Sequence, residues 1–239
     1  MRLLIECSLE NKEEISIPVD YRRKVLSFFK SVLEKNSLEL KDKYYKENNL
    51  KDFTYSCYLP IKEIKDKKIY LSSNTFKIFF STSEYNIFFD FYNSFQKSLL
   101  KDFNFAGYIL NINSLTLVKE KKITTEEVVF KIISPIIVRD HNKENGKNWF
   151  YSLNETEGVE ILKRNITSLL KDKFEKNDID ELEITPINIK KVISYYYNFK
   201  MEGNKGLIKI KAKKEILDYL YKAGFSSNRS AGYGYVDVV

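Results

Sequence analysis

Apolar and polar positions alternate from the start of the chain. Leu3, Ile5, Cys7 and Leu9 take every second place between Arg2 and Leu9, which predicts a half-buried strand. The period then changes. From Tyr21 to Leu33 the apolar residues Val25, Phe28, Phe29, Val32 and Leu33 recur at three- and four-residue spacing. That pattern predicts an amphipathic helix with Asp20 as N-cap and Arg22, Arg23, Lys30 and Glu34 on its other face. Asn36 to Asp52 is rich in Lys, Asn and Tyr and reads as a polar loop. Phe53 to Leu59 and Thr75 to Ser81, dense in aromatic and β-branched residues, predict two strands separated by Pro60 and the Lys-rich segment Lys62 to Lys68. Glu84 to Leu100 predicts a second helix, with Ile87, Phe88, Phe91, Phe95 and Leu99 on one stripe, and Phe105 to Val118 a further strand.

The same order then returns. Val128 to Val138 is strand-like, Gly158 to Leu170 is helical, and Leu182 to Ile189 and Leu207 to Ala212 are strands. Lys214 to Ala223 is a short helix, and Tyr233 to Val239 closes the chain as a strand. The repetition is one of elements, not of residues. It predicts an α+β protein of two tandem ferredoxin-like (RRM-like) domains, 1–124 and 125–239, each an antiparallel sheet with helices on one face. A doubly wound parallel sheet does not fit, because Phe53 to Ser81 supplies strands with no helix between them.

Composition narrows the chemistry. Of 239 residues, 40 are Lys or Arg and 33 Asp or Glu, a net charge of +7 that favours a nucleic-acid partner only weakly; where the charges sit matters more. Cys7 and Cys57 are the only cysteines and no basic leader with an apolar core opens the sequence, so a reduced, cytoplasmic setting is expected. The apolar run Tyr85 to Phe95 is broken by Asn86, Asp90 and Asn93, and no membrane partner is expected. His141 is the single histidine; with the two cysteines it falls short of a four-ligand zinc site. Asp178-Ile179-Asp180 reads as a solvated loop. No metal and no cofactor are expected.

The sharpest local feature lies near the C-terminus, where Lys222-Ala223-Gly224-Phe225-Ser226-Ser227-Asn228-Arg229-Ser230-Ala231-Gly232-Tyr233-Gly234-Tyr235 follows a predicted helix and precedes a strand. Glycines permit close backbone approach, so exposed N–H groups could gather around a phosphate that Arg229 neutralises. The bland alternative is a helix C-cap at Gly224 followed by an ordinary turn at Gly232. No Gly-Lys-Ser/Thr ends the run, and its helix-to-strand order is opposite to that of nucleotide-binding loops.

This run resembles the glycine-rich loop of the CRISPR-associated repeat-processing endoribonucleases, the Cas six family of the RAMP superfamily. That loop reads Gly-hydrophobic-Gly, five residues, Gly-hydrophobic-Gly. Gly224, Phe225, Gly232, Tyr233 and Gly234 match it, and Ser226 replaces the second glycine. Met1-Arg2-Leu3-Leu4-Ile5, Phe53-Thr54-Tyr55-Ser56 and Ser134-Pro135-Ile136-Ile137-Val138-Arg139 are similar to family positions in the same order. The resemblance implies two ferredoxin-like domains that bind CRISPR repeat RNA. It also implies metal-free cleavage of precursor transcripts by 2′-hydroxyl attack, leaving a 2′,3′-cyclic phosphate. An interference complex is a further implied partner, and the chain would act as monomer or homodimer. The RNA would be held by Gly224, Ser226, Ser227, Asn228, Arg229, Ser230, Gly232 and Gly234, with Lys163 and Arg164 on the second-domain helix.

The family histidine is missing. Counting back from Phe53, its place falls on Tyr45, or on Lys46 with a one-residue gap, and Lys30 stands where relatives carry a catalytic Tyr or Lys. Lys30, Tyr45, Lys46 and Lys51 are therefore the candidate catalytic residues. Lysines can stabilise phosphorane charge and, when desolvated, move protons, whereas an ordinary Tyr with a pKa of about 10 is a poor base. His141, in Arg139 to Gly146, reads as a hairpin tip without a catalytic role. Phe88-Phe89-Phe91 and Tyr195-Tyr196-Tyr197 read first as core packing. Two alternatives stay open: a non-cleaving repeat-RNA-binding subunit, and a RAMP backbone protein that assembles along RNA.

Overall fold

A computed structural model describes residues 1–10, 14–47, 50–141, 148–197 and 199–239. The first half contributes β1 (Arg2–Glu10), β2 (Ser16–Pro18), α1 (Tyr21–Asn36), α2 (Leu38–Tyr45), β3 (Phe53–Tyr58), β4 (Ile61–Lys65), β5 (Lys68–Leu71), β6 (Thr75–Thr82), α3 (Tyr85–Gln96), β7 (Phe103–Phe105) and β8 (Tyr108–Val118). The second half contributes β9 (Glu127–Ile132), β10 (Val138–His141), β11 (Asn148–Tyr151), α4 (Thr156–Leu170), α5 (Lys176–Asp180), β12 (Glu183–Tyr196), β13 (Phe199–Lys211), α6 (Lys214–Ala223) and β14 (Val236–Val238).

The first sheet runs β3-β6-β1-β8-β7 and the second β12-β13-β9-β14. All pairings are antiparallel. In each half the first strand lies centrally between the third and the fourth strands of its βαββαβ unit, which is the ferredoxin-like order expected from the sequence. Each unit also carries an added hairpin. In the first, β4 and β5 join β2 in a small three-stranded sheet; in the second, β10 pairs with β11.

Each half closes its own core. Alternate residues Leu3, Ile5, Cys7 and Leu9 of β1 meet Phe28, Phe29, Val32 and Leu33 of α1 in one cluster, while Phe130, Ile166, Leu220 and Phe225 belong to another. Phe29 is central to the first, with the rings of Tyr55, Phe80, Phe91 and Phe95 at 5.1 to 6.2 Å. A fully buried Phe contributes about 1.5–3 kcal/mol. This packing fixes the rotation of α1 and turns Lys30 to the opposite, partly exposed face.

Several segments depart from the sequence reading. Asn36 to Asp52 is not a loop throughout: Ser37 caps α2, and Tyr44 is buried against Phe91 at 5.3 Å with its hydroxyl donating to Asp90 (2.6 Å). Tyrosines that count as polar in a sequence supply this helix with its apolar face. Lys62 to Lys68 forms the β4–β5 hairpin. Val128 to Val138 is two strands, β9 and the start of β10. Asp178 lies on the short α5, paired with Lys213, and Ile179 beside it is buried. β12 and β13 run well beyond the apolar segments Leu182 to Ile189 and Leu207 to Ala212, with a register shift between Ile187 and Lys190. No helix among the described residues is long and apolar enough to cross a membrane.

Candidate functional site

Three of the four candidate catalytic residues converge. Lys30, on the polar face of α1, places its Nζ 5.1 Å from the Tyr45 ring centre, and Lys51 places its own 5.7 Å from the same ring. Both lie within cation–π range. Burial, then the nearby Tyr196 and Tyr44, pushes the Tyr45 hydroxyl far above its ordinary pKa, and that oxygen is buried without a hydrogen-bond partner. Tyr45 thus keeps its proton and serves as a platform under two ammonium groups; a base role does not fit this environment. Lys51 is pulled the other way, lowered by burial and then by the Lys30 charge. Lys46, at the C-terminus of α2, is exposed.

Lys51 also opens onto a cleft. A concavity of about 350 Å³ has Leu50 and Lys51 on one side, Asn165 and Ser168 of α4 on another, and Arg139 and the loop residues 226–230 closing it. The cleft therefore joins the Lys30–Lys51 cluster of the first unit to the glycine-rich loop of the second.

Much of that loop's backbone is already engaged within the protein. The backbone N–H groups of Phe225, Ser227, Ala231, Gly232 and Gly234 already donate to carbonyls, and that of Tyr235 to Ser134 Oγ at 2.8 Å. Ser226 Oγ accepts from the Ile137 N–H (2.8 Å) and donates to the Ser227 carbonyl (2.8 Å). Arg229, the expected phosphate partner, is 5% exposed. Its guanidinium donates to the carbonyls of Ala223 (3.2 Å) and Gly224 (3.4 Å) and pairs with Asp52 at 3.1 Å. It acts largely as an internal strut, its two terminal nitrogens engaged by these partners.

The glycines answer to packing. A Cβ on Gly232 would stand 2.5 Å from the Tyr55 ring, one on Gly224 2.7 Å from Thr54 Cγ2, and one on Gly234 2.5 Å from Ser226 Cβ; all three have φ between +71° and +88°. The first unit grips this loop directly. Arg22 Nε donates to the Gly232 carbonyl (3.1 Å) and Thr54 Oγ1 to the Tyr233 carbonyl (2.8 Å). What the loop offers the cleft is the partly exposed side chains of Ser227, Asn228 and Ser230, with Asn228 held at φ +61°.

Lys163 and Arg164 do not line the cleft; Arg164 pairs with Asp140 of β10 at 2.6 Å, and the helix presents Asn165 and Ser168 instead. Arg139 is a cleft residue that sequence reasoning did not single out, although it ends the Ser134 to Arg139 segment noted there. His141 is exposed at the end of β10, with Nδ1 2.9 Å from Asn148 Oδ1; the hairpin tip itself, 142–147, lies outside the described residues. Among the described residues no three His, Cys, Asp or Glu side chains gather as metal ligands.

Comparison with known proteins places this geometry. The sequence profile of the family described as CRISPR associated protein Cas6, C-terminal, matches residues 118–238. No curated protein matches the chain by sequence. Among solved structures, a Cas6-related protein from Pyrococcus furiosus is 19% identical with a TM-score of 0.84, the match covering 100% of this chain and 98% of that one. A structure described as an RAMP protein binding different RNA substrates is 19% identical with a TM-score of 0.82 over 100% and 99%. A Cas6 product complex is 13% identical with a TM-score of 0.73 over 100% and 99%. At these identities the likeness is one of fold.

Proposed function

Because the chain belongs to the Cas6 family of CRISPR-associated proteins, we propose that it binds CRISPR repeat RNA and cuts precursor transcripts into guide RNAs without a metal ion. The observation that carries the reading is the meeting of Lys30 and Lys51 over the partly buried Tyr45 ring, with Lys51 shared by the adjoining cleft. In the reaction the 2′-hydroxyl loses its proton and attacks the adjacent phosphorus. The bond to the 5′-oxygen breaks, and that oxygen takes up a proton. The products are a 2′,3′-cyclic phosphate and a 5′-hydroxyl. The pentacoordinate transition state carries extra negative charge, which Lys30 and Lys51 are set to stabilise. Lys51, its ammonium form disfavoured by burial and by Lys30, is the proton-transfer group. Ser227, Asn228, Ser230 and Arg139 hold the strand along the cleft.

Cleavage of cognate repeat RNA in EDTA tests this assignment. Lys30→Ala and Lys51→Ala should each slow cutting by about 10²- to 10⁴-fold. Tyr45→Ala should slow it through loss of the platform, while Tyr45→Phe, which removes only an unbonded hydroxyl, stays within a few-fold of wild type. Equal metal-independent cutting by all four variants sinks the assignment. One observation favours a second reading, a protein that binds the repeat without cutting it: the lone histidine stands on an exposed hairpin of the second unit, so the cluster has no imidazole. Tight repeat binding with no product would select it.

A further inference from the structure

The β12–β13 hairpin carries aromatic side chains across to the first unit, and the chemistry above gives them no task. Tyr197 and Phe199 at its tip are 48% and 74% exposed. Tyr197 takes φ +50°, a left-handed position that hairpin turns normally give to Asn or Gly. A tyrosine there is tolerated only where its surroundings hold it. They do: Arg23 lies 5.4 Å from its ring centre, and Tyr196 meets it edge-on at 4.8 Å.

The ring borders a groove of about 280 Å³ whose other walls are Arg23, Lys24, Leu26, Ser27 and Lys30 of α1. Among the described residues that lining holds three cations and no carboxylate. Asp20 reaches Arg23 from the side, 3.2 Å from Nε, which leaves the rest of the guanidinium fork for another acceptor. The volume falls below that of pockets for drug-sized molecules, about 300–1,000 Å³, and suits one unit of a polymer. Lys30 belongs both to this groove and to the cluster over Tyr45, so the two sites are continuous.

From this continuity we infer that Tyr197 is the stacking platform for one unpaired nucleobase, that of the nucleotide adjoining the phosphate at Lys30. Arg23 and Lys24 take that nucleotide's own phosphate. The inference rests on the RNA-binding reading of the Lys30–Lys51 cluster and extends it with a subsite that sets where the strand lies. Stacking on an aromatic face accepts any base, so the subsite reads position and single-strandedness rather than sequence.

The test is a binding cycle, read by fluorescence anisotropy. Wild type, Tyr197→Ala, Tyr197→Leu and Tyr197→Phe are titrated with intact repeat RNA and with a set of repeats each carrying one abasic nucleotide. Tyr197→Ala and Tyr197→Leu should weaken binding of intact RNA about 5- to 150-fold, and Tyr197→Phe less than about twofold. One abasic position should bind wild type and Tyr197→Ala alike, and where wild type cuts, that position should adjoin the cut. Unchanged affinity of Tyr197→Ala, an equal loss with every abasic RNA, or a sensitive position remote from the cut overturns the inference. A wild type that binds without cutting fails the cleavage reading and leaves the cycle readable. A wild type that does not bind the repeat overturns both.

Discussion

Asp52 follows Lys51 directly and is tied to three groups of the second unit. Its carboxylate accepts from the Tyr219 hydroxyl (2.5 Å), pairs with Arg229 at 3.1 Å and with Lys173 at 3.0 Å. Burial alone would raise its pKa, but the Tyr219 bond, the Arg229 charge and Lys173 outweigh burial and hold it below the usual range. A carboxylate depressed in the folded state adds stability above its unfolded pKa of about 3.9, and that stability is lost as the pH falls through the folded value. Asp52→Asn leaves the Arg229 guanidinium buried without its counter-ion, so it should cost about 3 kcal/mol at pH 7. Urea unfolding at several pH values checks this: the gap between wild type and variant should be full above about pH 5 and narrow below about pH 4. A gap independent of pH would show that the pair contributes packing only. At this scale the family resemblance in the sequence singled out Lys30, Tyr45 and Lys51 as candidates, and the structure brings their side chains together. The sequence could not show that Tyr45 loses its hydroxyl to the interior, nor that Arg229 points inward, because both depend on partners more than 100 residues away or on another helix.

At the scale of elements, the glycine-rich run works as a fitted connector. Its glycines are required by the ring of Tyr55, the Thr54 methyl and their own positive φ. Tyr55 cannot easily yield, since its ring is buried 5.1 Å from Phe29. Gly232→Ala, with a Cβ 2.5 Å from that ring at φ +88°, should cost about 3 kcal/mol or more. Gly107→Ala is the matched control: its φ of +94° is equally unsuited to alanine, but nothing lies within 4 Å, so about 1–2 kcal/mol is expected. Thermal unfolding of the two variants separates crowding from backbone strain, and equal losses would remove the packing account. Strands and helices with clean periodicity, such as β1, α1 and α4, were legible in the sequence. The helix α2 and the outer halves of β12 and β13 were not, because tyrosines and lysines filled positions that packing, not hydropathy, assigns to them.

Over the whole molecule, the two units are clasped by side chains from one reaching the backbone of the other. Arg2 of β1 is buried, donates to the carbonyls of Tyr221 (2.7 Å) and Val236 (2.6 Å), and lies between the rings of Tyr221 and Tyr235 at 3.7 and 4.6 Å. Ser81 Oγ donates to the Lys222 carbonyl (2.6 Å) beside it. Arg2→Ala strands two buried carbonyls, a loss of about 2–4 kcal/mol. It should also uncouple the halves: hydrogen exchange followed along a urea series reports the first unit by the β1 amides and the second by the β9 amides. The two urea transitions should coincide in wild type and separate in Arg2→Ala. Coincident, unshifted transitions would mean the clasp lies elsewhere. By itself the sequence determined the two-unit α+β architecture and the residue types the chain can bring to a site, since periodicity and composition are properties of the chain alone. Only the tertiary structure decided which of those residues meet. The Lys30–Tyr45–Lys51 cluster, the inward Arg229 and the Tyr197 groove are made by contacts between distant segments, and close packing of the two cores fixes each of those contacts.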